Sequence, residues 1–293
     1  MQTTAWFLGC PEWGNAYWSR NFFRPKSRPD SYLAQYAEVF NTVEGNTTFY
    51  GVPRLETVRR WRDAVPETFR FCFKFPRIIS HERRLRDVRA PLEDFMAALD
   101  VMQGCLGPTF LQLPPTFGAA EFDVLEDFLR RLPRHLSYSL ELRHPDFFDR
   151  GDTEAALDEV LSELNIDRVF FDSRVLHASR VRDEDTRVAK SRKPKIPQRT
   201  QVLARHPFLR FIGSNDPAES DAALQEWAAR TAAWMQAGLE PYIFIHTPND
   251  HHAPALARRF HGMVRDLMPE IPAPVDFPVD RAGPQMETPS LFA

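Results

Sequence analysis

The sequence predicts an α/β protein built as a single (β/α)8 TIM barrel. Three observations carry that expectation. Short runs rich in Phe, Tyr, Val and Ile recur eight times along 293 residues, the composition expected of strands. Their starts are about 28 to 40 residues apart, the length of a βα unit. Amphipathic helical patterns fill most of the gaps. Strands so connected should run parallel with right-handed crossovers, and at this length a closed barrel is favoured over an open sheet.

In chain order, strands are expected at AWFLG from Ala5, NTVE from Asn41, FRFCFKF from Phe69, TFLQL from Thr109, SYSLELR from Ser137, RVFFD from Arg168, FLRFIG from Phe208 and YIFIH from Tyr242. PRLETVRRWRDAV opens a helix at Pro53, a residue suited to the first helical position. APLEDFMAALDVM, EFDVLEDFLRRL and DTEAALDEVLSEL carry i, i+3, i+4 apolar spacing. Asp152 or Thr153 suits the N-cap of the last of these. ALQEWAARTAAWMQAG should end at Gly238 as the C′ residue, and ALARRFHGMVRDLM follows the last strand.

Two segments fall outside this rhythm. Residues 174–206 are strongly charged and weakly periodic, so a long loop is expected after the sixth strand, either a functional lid or a variable solvent loop. Residues 269–293 are rich in Pro and lack helical period, so a Pro-rich C-terminal tail, extended or disordered, should follow a barrel domain spanning 1–268.

Composition narrows the function classes. A net charge of −3 gives no global basic field and argues against nucleic acid as a partner. The three cysteines, at 10, 72 and 105, are widely spaced, which suits reduced buried thiols better than a disulfide framework or a zinc site. The N-terminus lacks the basic region of a signal peptide, and no run of about 18 apolar residues appears. A cytoplasmic protein without a membrane partner is expected. With 12 Gly, and without GxGxxG, Walker or GxSxG motifs, no nucleotide loop or nucleophile elbow is expected.

Strand parity locates the candidate site. In the fifth strand Tyr138, Leu140 and Leu142 share one face, while Ser137, Ser139, Glu141 and Arg143 share the other. The third repeats this, with Phe69, Phe71, Phe73 and Phe75 opposite Arg70, Cys72 and Lys74. In the second, Val43 opposes Thr42, Glu44 and Asn46. Gln112, Asp172 and His246 end the fourth, sixth and eighth strands, and Arg210 lies within the seventh. Charges gathered at the C-terminal ends of strands mark an active site in this fold class, and burying them otherwise demands pairing.

Several roles fit these side chains. Glu44 suits a general base, a metal ligand or a sugar-hydroxyl acceptor, and also an ion-pair partner of Lys74. Lys74 suits anion binding, acid–base work or, if desolvated, nucleophilic attack. His81 and His144 suit proton shuttles, although a loop histidine also serves as a solvated or capping group. Glu141 with Glu44 suits a two-carboxylate hydrolytic pair, and Arg143 offers a planar fork for an anion or a structural partner for a carboxylate. Gln112 suits orientation of a hydroxyl or water. Asn46, Tyr50, Asp172 and Arg210 complete the substrate-binding set. Trp13 and Tyr17 suit a stacking wall or simple closure of the core. Glu44, Glu141, Asp172 and His246 form the rival set for a divalent metal; no compact ligand motif requires one, and no cofactor is expected.

At these residues the chain resembles the YecE-like family, domain of unknown function 72. The resemblance lies in GCPEWGNAYW, YAEVFNTVEGNTTFY, FCFKFPRIISH, LGPTFLQLPPTF, LSYSLELRHPDFF and YIFIHTPND. It implies a TIM barrel without an established activity and a pocket at Glu44, Asn46, Tyr50, Lys74, His81, Gln112, Glu141, Arg143 and His144. Two departures stand out. RFIG replaces the family's Arg-x-His-Gly, with Ile212 for His, and HTPNDHH replaces an asparagine-rich turn. The tail segment QMETPSLF resembles peptides that dock on bacterial sliding clamps, with imperfect spacing. The functional expectation is an enzyme of hydrolase, lyase or isomerase type acting on a small anionic or polyhydroxylated molecule. A metal-dependent phosphoesterase and a non-catalytic ligand-binding or adaptor protein are the alternatives.

Overall fold

A computed structural model describes residues 6–281. All eight expected strands form: β1 (Phe7–Gly9), β2 (Thr42–Gly45), β3 (Arg70–Phe73), β4 (Thr109–Gln112), β5 (Tyr138–Glu141), β6 (Asp167–Asp172), β7 (Phe208–Ile212) and β8 (Tyr242–His246). Every pairing among them is parallel.

The closed (β/α)8 barrel expected from the sequence is corrected by the pairing. The strands form a six-stranded half-barrel sheet, β1-β8-β7-β6-β5-β4, and a separate pair, β2-β3. The physical reason lies at the seams. Between β1 and β2 side chains take bonds that a ladder would supply, beside one backbone bond from the Glu44 amide to the Cys10 carbonyl at 3.2 Å. The Leu8 amide donates to Asn41 Oδ1 at 2.8 Å, and the Cys10 amide donates to the Tyr36 hydroxyl at 2.7 Å. That hydroxyl donates in turn to the Thr42 carbonyl at 2.9 Å. Gly9 permits this approach, since a Cβ there would lie 2.0 Å from the Thr42 oxygen. Between β3 and β4 only isolated bridges form, Phe71 with Leu106 and Lys74 with Phe110.

Strand parity separates two apolar layers. Phe71, Phe73, Phe75, Leu140 and Phe170 pack outward beneath the helices. Phe7, Cys72, Phe110, Val169, Phe171, Phe208, Tyr242 and Phe244 fill the concave side, where Phe7 and Tyr242 stack at 4.3 Å. All three cysteines are free and buried.

The expected helices form at Leu55–Asp63, Arg89–Met102, Phe122–Arg131, Asp152–Leu164, Asp221–Gln236 and Ala253–Leu267. Gly238 takes φ 79° just beyond its helix, the left-handed conformation that glycine adopts cheaply. The N-cap at 152 is corrected: Gly151 occupies it, and Asp152 is the first helical residue. The segment 174–206, expected as one long loop, contains helices Arg174–Ala178 and Glu184–Arg192. The second is polar all round, so periodicity hides it, yet Asp183 caps it by accepting from the Thr186 amide at 2.6 Å.

Beyond residue 268 the chain runs back over the body. Phe277 is buried 5.0 Å from Phe22, the Val279 amide donates to the Phe22 carbonyl, and Arg258 covers Phe277. The clamp-like segment at 285–292 lies outside the described residues. Among the described residues no helix is long and apolar enough to cross a membrane.

Candidate functional site

The C-terminal ends of the strands carry one continuous buried network. Arg210, inward on β7, donates from Nε to Glu44 Oε1 at 2.6 Å and from Nη2 to Glu44 Oε2 at 3.0 Å. Its Nη1 donates to Glu141 Oε2 at 2.5 Å. Asn46 Nδ2 donates to Glu44 at 2.9 Å, and His246 Nε2 lies 3.1 Å from Glu44 Oε1. On the far side Arg143 Nε donates to Glu141 Oε1 at 2.7 Å, and its Nη2 donates to Gln112 Oε1 at 2.9 Å. Lys74 Nζ donates to that same Gln112 oxygen at 2.9 Å and lies 3.8 Å from the centre of the Phe49 ring.

Strand parity explains the convergence. Glu44, Glu141 and His246 lie at or next to the ends of their strands and Arg210 at the middle of β7, all with their side chains on the concave face. Aromatic rings from the same face, Phe110 and Phe171, support the Arg210 guanidinium. Charge withdrawn from water needs such pairing.

The electrostatics follow from burial against these charges. Burial alone would raise Glu44, but Arg210 and the bonds to it hold the carboxyl well below its usual range. Burial likewise opposes ionisation of Glu141, and Arg210, Arg143 and Lys74 overcome it to bring the group to about 2. Lys74 is pushed down to about 7 by burial and by the neighbouring Arg210 and Arg143 charges, against the pull of Glu141 and Glu44. Burial drives His246 to about 4 despite Glu44, so it is neutral at pH 7.

A cavity of about 520 Å³ opens above the Glu44–Arg210–His246 half of the network, a size suited to a small molecule. Glu12, Trp13, Asn46, Lys193 and Asp250 contribute to its walls. Lys193 is half-buried and follows helix Glu184–Arg192, so the charged segment after β6 delivers a cation into the cavity. Burial lowers its pKa, with Asp250 acting in the opposite direction. Burial raises Asp250 to about 7, while the Thr247 amide it accepts from, at 3.0 Å, and Lys193 lower it. Two larger grooves, of about 880 and 610 Å³, lie away from the strand-end network.

Of the residues singled out from the sequence, Glu44, Asn46, Lys74, Gln112, Glu141, Arg143 and Arg210 join this network. His81 borders it. Its ring meets Phe49 edge-on at 5.0 Å and its Nδ1 lies 2.9 Å from Ser80 Oγ. Burial and the Lys74 and Arg143 charges bring it to about 4. His144 accepts from the Asp146 amide at 3.3 Å and caps the turn Pro145–Phe148. Tyr50 is exposed on the cavity rim. Trp13 packs on Trp61 and Phe71, whereas Tyr17 stacks on His251 outside the cavity lining.

Asp172 does not join them. Even-numbered residues of β6 face outward, as Phe170 does against Trp227. Asp172 accepts from Trp227 Nε1 at 2.8 Å and from Arg174 Nη2 at 2.8 Å. The metal set Glu44, Glu141, Asp172 and His246 therefore does not assemble, and among the described residues no three His, Cys, Asp or Glu side chains group as metal ligands. Nor do Glu44 and Glu141 face one another across an open gap, since Arg210 stands between them.

Sequence reasoning missed Lys193, Asp250 and Glu12 as members of the site. The Asp in the TPND turn after β8 was a signal for Asp250, because turns after strands place polar groups at this end. Lys193 had none, lying in the basic run KSRKPK at 190–195.

Comparison with known proteins places these motifs among relatives. A family model described as protein of unknown function DUF72 matches residues 7–276. UPF0759 protein YecE of Escherichia coli K12 is 39% identical over 267 residues, 91% of this chain and 95% of that protein, and the O157:H7 protein matches to the same extent. A crystal structure of a DUF72 family protein from Thermotoga maritima MSB8 superposes with a TM-score of 0.69 at 20% identity, covering 89% of this chain and 99% of that one. One from Enterococcus faecalis V583 gives 0.66 at 17%, covering 88% and 95%. The likeness to the two solved structures is one of fold.

Proposed function

The chain belongs to the DUF72 family, and from the geometry of its strand-end site we propose that it is an enzyme acting on a small anionic molecule there. The observation that carries this reading is a pair of lysines at the site, Lys74 buried and Lys193 half-buried, without a carboxylate in ion-pair contact. Among the described residues neither Lys74 nor Lys193 has a carboxylate oxygen within 4.0 Å. A buried cation without a counterion is costly, and an anionic ligand removes that cost. Arg210 and Lys193 line the cavity, and Arg143 stands beside Lys74.

Within this reading the roles divide by electrostatics. Glu44 and Glu141 are locked by Arg210 in their ionised forms, which suits positioning rather than proton transfer. Lys74 titrates near 7, the range in which a general acid or base is most effective. That favours lyase or isomerase chemistry over two-carboxylate hydrolysis, which needs an open gap between the carboxylates.

The test is ligand-induced thermal stabilisation of wild type, Lys74→Met and Lys193→Met with inorganic phosphate, sugar phosphates, hydroxy acids and neutral sugars. A ligand at a hundred times its Kd stabilises by about 2.7 kcal/mol, which raises Tm by several degrees in a chain of this size. Anionic compounds should give that shift in wild type and lose most of it in both variants. A response to neutral sugars alone, or equal responses in all three proteins, overturns the reading.

A further inference from the structure

We propose that Lys74 forms an imine with an anionic aldehyde or ketone whose charged group is held by Arg143. This deepens the reading above and rests on it for the anionic class of the ligand. The geometry around Lys74 carries it.

The Lys74 ammonium and the Arg143 guanidinium converge on one neutral acceptor, Gln112 Oε1, each at 2.9 Å. The Lys74 ammonium also lies over the face of Phe49, 3.8 Å from the ring centre. Two cations sharing an uncharged oxygen, with no carboxylate in contact with the ammonium, destabilise each other's charged forms. The guanidinium cannot yield its proton, so the ammonium does. A lysine desolvated against an aromatic ring and beside another cation is the setting in which the amine becomes a nucleophile. Its depressed pKa, about 7, agrees with the geometry.

The surroundings supply the remaining parts. Arg143 commits Nε to Glu141 and Nη2 to Glu141 and Gln112, while 14% of the side chain stays exposed and its Nη1 takes no bond to a side chain among the described residues, so that edge remains for a carboxylate or phosphate. His81 touches the same Phe49 ring as Lys74, is half-buried, and is neutral at pH 7. It can therefore pass a proton at its Nε2 edge while Nδ1 engages Ser80.

The step balances without a redox partner. The neutral amine nitrogen adds to the carbonyl carbon, and one nitrogen proton passes to the oxygen to form a carbinolamine. The second nitrogen proton accompanies departure of the hydroxyl as water, the C–O bond breaks and the C=N bond forms. Amine and carbonyl give imine and water, with nothing oxidised or reduced.

The experiment is borohydride trapping on the full chain, with pyruvate as the anionic ketone and acetone as the neutral one, read by intact mass and peptide mapping. Pyruvate should leave a reduced adduct on the peptide containing Lys74, about tenfold more than acetone leaves, as expected for one charge-assisted contact. Arg143→Met should remove that preference, and Lys74→Arg should remove the adduct. Mapping on wild type identifies the residue even if a variant fails to fold. No adduct at Lys74 from either probe, or equal adducts spread over exposed lysines, overturns the imine. If anions still stabilise the protein thermally in that case, the anion-binding reading stands and only the imine falls.

Discussion

Arg210 and Glu44 are joined by two parallel N–H···O bonds, 2.6 and 3.0 Å long, across 166 residues of chain, and the third donor of the same guanidinium goes to Glu141 at 2.5 Å. One cation thus neutralises two fully buried carboxylates contributed by β2 and β5. Removing it leaves Glu44 without a cation and Glu141 with Arg143 as its remaining ion-pair partner. Arg210→Met should lower unfolding stability by about 3–5 kcal/mol in urea titrations. Adding Glu44→Gln and Glu141→Gln to that variant should recover a large part of the loss. A triple variant no more stable than Arg210→Met would show that packing, not charge, dominates.

Acid should weaken the fold through the same cluster. Glu141 titrates near 4.5 when unfolded and about 2 when folded. The unfolded chain therefore binds the extra proton between those values, so this contribution is present above about 4.5 and lost as pH falls toward 2. Asp250 has the opposite sign. Its pKa rises from 3.8 to about 7, so the folded state holds the proton and stability declines as pH climbs through that window. Urea midpoints against pH should show a shallower acid limb in Glu141→Gln, and Asp250→Asn should lose less stability than wild type between pH 4 and 7.

Tyr36 bonds both chain segments at the β1–β2 seam. Its hydroxyl accepts from the Cys10 amide and donates to the Thr42 carbonyl, with all three groups buried. Tyr36→Phe strands a buried amide and should cost about 1–3 kcal/mol. Faster hydrogen exchange at Cys10, with β7 and β8 amides unchanged, would localise the effect; a uniform loss across the sheet would count against it.

Asp172 separates structural from ligand-binding roles. Asp172→Ala leaves the buried Trp227 indole N–H without its acceptor, so a loss of about 1–3 kcal/mol is expected. Its anion-induced Tm shift should match wild type, because the side chain faces the covering helix rather than the cavity. A diminished shift would contradict that separation.

Much of this was legible along the chain. Alternation in SYSLELR and FRFCFKF set which residues face the concave side, because side chains of a strand alternate strictly. That alone brought Glu44, Lys74, Glu141, Arg143 and Arg210 to one end of one face. Asp172 shows the limit of the argument. Its strand, DRVFFD, is apolar on both parities at its centre, so alternation gives no face, and the side chain proved to point outward. Lys193 shows another. Helix Glu184–Arg192 is held by an Asp183 cap and by contacts with other segments, such as Asp185 with Asn249, rather than by an amphipathic stripe.

The sequence by itself determined the eight strands, their helices and the charged ends that form the site, since these depend on residue periodicity and local propensity. Only the tertiary structure decided how the strands close and what the charges do. Pairing depends on how nearly neighbouring backbones approach. At Gly9 and Tyr36 side-chain bonds replace a ladder, which leaves β2-β3 apart from the six-stranded sheet. The protonation of Glu44, Glu141 and Lys74 depends on distances across the chain, above all on Arg210 standing between the two carboxylates and Arg143 beside the lysine.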